Sequence, residues 1–120
     1  MGMLKNQEFN DGVVNIFTVA NNALPGDTPK KKLRVKHEGL RYEERTVGMG
    51  RFWTAAQNNV KIDIILRVPR MRDVCTQDIA IPSFDKQQYE IKQVQYPPDV
   101  QPPVMDLSLQ RLGAVYELDG

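Results

Sequence analysis

Cysteine, histidine and long apolar runs are what this chain has least of, and each shortage excludes something. One cysteine, Cys75, stands in 120 residues, so no internal disulfide can form. Nothing then points to an oxidising compartment, and an intracellular origin is the default. One histidine, His37, and one cysteine cannot supply the four ligands of a structural zinc site. Nor do they build a nucleophile–base pair, since no Ser or Cys nucleophile stands in a recognisable motif. No apolar run approaches the roughly 18 residues of a membrane span. The first residues, MGMLKNQEF, lack the apolar core of a secretion signal. Gly2 is followed by Asn6 where a myristoylation signal has Ser or Thr. Gly48-Met49-Gly50 lacks the further glycine and the Lys-Ser/Thr ending of a phosphate loop. The net charge of +1 excludes a uniformly basic binder of nucleic acid. These shortages together predict a protein that is not an enzyme and holds neither metal nor cofactor.

What is present is short apolar alternation broken by turn residues. The chain length fits a single domain, 1–120, with residues 1–11 and 113–120 as flexible ends. Eight Pro and eight Gly imply many turns and short elements. The stretch 48–69, GMGRFWTAAQNNVKIDIILRVP, organises the reading. Phe52, Ala55 and Ala56 share a helical face, Trp53 borders it, and Asn58-Asn59 can end the helix. From Val60 the period becomes two: Val60, Ile62, Ile64, Leu66 and Val68 alternate with Lys61, Asp63, Ile65 and Arg67. This predicts a strand with one apolar and one mostly polar face, ended by Pro69.

Around it, strands are predicted at Val13–Val19, at Leu33–His37 and Leu40–Val47 as hairpin arms turning at Glu38-Gly39, at Asp78–Pro82, at Tyr89–Tyr96 and at Met105–Leu112. A change of parity between Ile91 and Val94 marks a bulge. Residues 20–32, ANNALPGDTPKKK, read as a long exposed loop. Four prolines in 97–103 predict a stiff loop outside any ladder. The sum is a mainly β protein: a small antiparallel β-barrel or curled sheet of six or seven short strands, with one short helix, 49–58, packed across it. The predicted core is Phe52, Trp53, Ala56, Ile62, Ile64, Leu66, Ile91 and Leu107.

One block carries charge out of proportion. From Lys30 to Arg51 there are eight basic residues against three acidic ones, a local excess of five. Lys30, Lys31, Lys32, Arg34 and Lys36 are its densest part and the candidate contact for phosphates or an acidic partner. The alternative is a solvated strand edge that lysines protect from aggregation. The aromatics near the block are Tyr42, Phe52 and Trp53. Cys75 has Asp73 and Asp78 nearby to raise its pKa and Arg70 and Arg72 to lower it. Pro69–Thr76 is otherwise a charged connector.

Six motifs stand in one order: ERTVG at 44–48, W-T-A-A-Q at 53–57, V-x-I-x-x-x-L-R-V at 60–68, D-I-A-I at 78–81, Y-E-I-x-Q-V at 89–94 and D-L-S-L-x-R-L at 106–112. In that order the chain resembles the small head-closure, or head–tail joining, proteins of long-tailed bacteriophages. The resemblance covers about residues 40–112; the loop 20–32 has no counterpart in it. It implies a β-barrel subunit of a ring in the virion, assembled in the bacterial host cytoplasm. The implied partners are further copies of itself, portal or adaptor and tail proteins, and passing double-stranded DNA. Two alternatives stand beside it: a small OB-like nucleic-acid-binding barrel using 30–51, and a tail-completion or terminator subunit.

Overall fold

The computed structural model describes residues 5–6, 8–21, 25–26, 31–45 and 61–118. Among them nine strands form: β1 (Lys5–Asn6), β2 (Gly12–Asn21), β3 (Lys31–Arg45), β4 (Ile64–Pro69), β5 (Ile79–Pro82), β6 (Tyr89–Gln95), β7 (Val100–Gln101), β8 (Val104–Arg111) and β9 (Glu117–Leu118). Six of them pair in the order β2-β5-β6-β8-β4-β3, and β3 returns to β2. Every pairing in that ring is antiparallel. A ring built only of antiparallel neighbours needs an even number of strands, and six satisfies it. The fold is therefore a closed, mainly β barrel, which leaves its ring members few free edges.

Period-two alternation fills the interior. Val14 and Ile16 of β2, Leu40 and Tyr42 of β3, Ile64, Leu66 and Val68 of β4, Tyr89 and Ile91 of β6, and Met105, Leu107 and Leu109 of β8 meet in one buried cluster. Ile64, Leu66, Ile91 and Leu107 of the predicted core thus sit inside the barrel. Ile62 does not: it precedes β4 and is only half-buried. Phe52, Trp53, Ala56 and the predicted helix 49–58 lie outside the described residues.

Four further readings need correction. The strand predicted from Val60 starts at Ile64, and it has no polar face. Residues 64–68 are all buried, Ile65 at 1% exposure and Arg67 at 8%. The reason is tertiary: β8, its partner in the register Ile64↔Leu109 to Pro69↔Val104, is likewise buried from 104 to 109 on both faces. The expected hairpin at Glu38-Gly39 is instead the middle of one 15-residue strand. Gly39 adopts φ +69° there, and its N–H donates to Asn15 Oδ1 at 2.8 Å. The register against β2 slips between Val14 and Ile16 and again between Ile16 and Phe17. Gly39 therefore supports a bulge that bends the strand rather than a turn that reverses it.

The loop expected at 20–32 is shorter, because β2 and β3 stay paired out to Asn21↔Lys31. The stiff 97–103 loop does join a ladder. Two of its three non-prolines, Val100 and Gln101, form β7 and pair in parallel with β1. The parity bulge in β6 is present as a register shift between Ile91 and Gln93.

Beyond the barrel, β2 and β3 continue as a two-stranded arm. Residues 18–21 pair with β3 and, among the described residues, with nothing on their other edge. The segment after β8, expected to be a flexible end, folds back over the arm's base. There Phe17, Leu33 and Ile79 form a second apolar cluster, and Val19, Ile81, Leu112 and Tyr116 pack on it. β9 then adds to β3 in parallel at Lys32↔Glu117 and Leu33↔Leu118.

Candidate functional site

The basic block does not act as one surface. Lys30 lies outside the described residues. Lys31 and Arg34 are exposed on the arm, and Lys32 is half-buried there, its ammonium 3.9 Å from Glu117. Lys36 turns away from any partner. Its Nζ donates to the Asp78 carboxylate at 2.6 Å and to the Asp73 carbonyl at 2.7 Å. Asp78 is buried, so this pair ties β3 to the 70–78 connector rather than offering free charge. Tyr42, the described aromatic nearest the block, is 1% exposed inside the barrel. Burial pushes its phenol pKa up, partly offset by the hydrogen bond with Ser83.

The β3 register slips bring Lys36 and His37 onto the same connector. His37 Nε2 is 2.8 Å from Asp73 Oδ1, and this hydrogen bond is the main reason the Asp73 carboxyl is held below its usual range. Cys75 adds its backbone N–H and its thiol to the same Asp78 oxygen, at 3.1 and 3.6 Å. Partial desolvation, then the Asp78 charge, push the thiol pKa up. A protonated thiol is a poor nucleophile, and Lys36, His37 and Cys75 tie β3 and the connector into a polar knot. No group of His, Cys, Asp and Glu among the described residues is arranged to hold a metal ion.

At the barrel end where β4 and β6 finish and β8 begins, the sequence order conceals a different arrangement. Arg67 and Asp106 face each other in the β4–β8 register and join through two bonds, Nε–Oδ1 at 2.8 Å and Nη2–Oδ2 at 3.1 Å. That contact raises the guanidinium pKa further. Pro69 ends β4, and the next backbone N–H, that of Arg70, donates to the Pro103 carbonyl at 3.1 Å. The Arg70 side chain is then pinned: Nε donates to the Val104 carbonyl at 3.0 Å and Nη2 to that of Pro97 at 3.3 Å.

Tyr96, just past β6, lies beneath two guanidiniums, with Arg70 Cζ 5.1 Å and Arg72 Cζ 5.2 Å from the ring centroid. Both distances are within cation–π range. The Tyr96 residue is 40% exposed. Beside it opens a shallow recess of about 530 Å³ lined by Arg67, Gln95, Tyr96, Pro97, Pro98 and Asp106. Among the described residues no carboxylate pairs with Arg70 or Arg72.

In the sequence, Arg70 and Arg72 read only as neighbours that tune Cys75, and Tyr96 as a strand end. The signal that could have found them is P-R-x-R at 69–72 and Y-P-P at 96–98, both placed where strands must stop. No family model matches this chain, and no curated protein matches it.

Proposed function

We propose that this chain is a structural, non-catalytic subunit of a ring at the head–tail joint of a long-tailed bacteriophage. There it connects the portal or adaptor to the tail and lines the DNA channel. The carrying observation is the closed six-strand barrel with a two-stranded arm projecting from it. The barrel closes on itself, and residues 18–21 give the arm an edge that a neighbouring copy can pair with by strand addition. An arm of one copy meeting a different surface of the next is a heterologous contact, the kind that closes rings. The ordered motifs at 44–112 support the same role. The polar knot at Cys75 supports a structural rather than a chemical one.

The reading predicts a discrete high-order oligomer by native mass spectrometry, for the chain alone or with its portal complex. It also predicts that particles lacking the protein lose packaged DNA and fail to take tails. A chain that stays monomeric with its portal complex, together with normal particles in its absence, overturns it. Particles that keep DNA but carry tails of irregular length move the subunit to the tail end.

A further inference from the structure

We propose that Arg70, Tyr96 and Arg72 form a contact site for the phosphate backbone of double-stranded DNA. The inference rests on the proposed ring role for its choice of duplex DNA as the partner. The chemistry comes from the site. Two guanidiniums gather over one half-exposed ring, and among the described residues neither is neutralised by a carboxylate. Two acids of the same region are engaged elsewhere, Asp106 with Arg67 and Asp73 with His37. Positive charge therefore remains for an outside anion.

The arginines are also held in place. Arg70 is fixed by two main-chain carbonyls, and the Tyr96 ring supports Arg72 from below. A guanidinium fixed by stacking loses less side-chain freedom when a phosphate arrives than a free lysine does. Pro97 and Pro98 stiffen the segment that carries the ring.

The partner is a backbone rather than bases. Binding of single strands uses aromatic faces on which successive bases stack. Here the one exposed ring at the site supports guanidiniums instead. Phosphate contacts of this kind position a duplex without reading its sequence. They suit a surface past which any DNA must move. Lys31, by contrast, is an exposed lysine on the arm, a flexible point charge rather than a planar guanidinium stacked on a ring.

The test is fluorescence anisotropy of the full chain with a short labelled duplex of random sequence, over a series of salt concentrations. Arg72→Gln is a safe variant for folding, because Arg72 is exposed and donates no hydrogen bond to the rest of the described structure. It should weaken binding several-fold and reduce the salt slope by roughly 0.9 for each phosphate that is no longer neutralised. Tyr96→Leu should act in the same direction by removing the platform, while a Lys31→Gln, Lys32→Gln chain binds as the parent does. The proposal is overturned if the parent ignores the duplex at low salt, if Arg72→Gln binds as the parent does, or if a polyglutamate peptide displaces the duplex at equal charge. That last result would make the partner an acidic protein. Ring formation is measured separately by native mass spectrometry. Rings that ignore DNA sink this inference alone, and DNA binding without rings sinks the proposed role alone.

Discussion

Arg67 shows how one residue's meaning depends on what stands opposite it. In the run Val60–Val68 it falls on the mostly polar face, where a charge reads as solvent-facing. In the folded chain it is 8% exposed and bonded twice to Asp106, itself 6% exposed. The two lie 39 positions apart in sequence, so no local pattern links them. A buried pair of this kind adds little net stability, but removing one member strands the other charge. Asp106→Ala should therefore cost about 3–5 kcal/mol in urea unfolding. Joint replacement by Arg67→Met and Asp106→Leu should cost less than that single change. Losses that simply add would show that the two charges do not depend on each other. The apolar residues of the same strand were legible: Ile64, Leu66 and Val68 share a face by period two and are buried on it.

Among elements, β3 and the C-terminal strap departed furthest from their sequence patterns. Gly39 signals a break in local terms. With β2 already alongside and Asn15 Oδ1 waiting for its N–H, the cheaper outcome is a bulge within one long strand. Besides the β9–β3 pairing and the apolar cluster, one side chain pairs with the strap as a strand would. Gln88 Nε2 donates to the Tyr116 carbonyl at 2.8 Å, and Tyr116 N–H donates to Gln88 Oε1 at 2.8 Å. The Gln88 backbone carbonyl separately accepts from Leu112 N–H at 3.0 Å. Gln88→Ala should then speed hydrogen exchange at the Tyr116 amide far more than at Leu112, read by NMR. Equal acceleration at both would mean the strap opens as one unit and the amide clamp is incidental. Nothing in Gly113–Gly120 announces this role, because the apolar cluster that anchors it comes from β2, β3 and β5.

For the molecule as a whole, closure of the ring separates the part that must fold from the part that can vary. The barrel cluster draws on β2, β3, β4, β5, β6 and β8, while the stretch 22–30, NALPGDTPK, holds two prolines and a glycine and few apolar side chains. Replacing residues 22–30 by a short Gly-containing turn should therefore leave the thermal melting temperature nearly unchanged. On the proposed role, the same chain should assemble poorly, since the arm's reach is shortened. A large drop in melting temperature would show that the hairpin end supports the barrel itself.

The sequence by itself determined the mainly β class, the apolar faces of β4, β6 and β8, the bulge in β6 and the shortage of catalytic groups. Those follow from alternation, turn residues and composition, which are local or summed properties. Tertiary structure alone decided that the sheet closes on itself, that β4 is buried on both faces and that β3 runs on through Gly39. It also decided that Lys36 is spent on Asp78, and that Arg70, Arg72 and Tyr96 share one site. Each of these depends on a contact between segments far apart in the chain. Spacing along one segment records which face a side chain takes, while the partner on that face is fixed only when the strands pair.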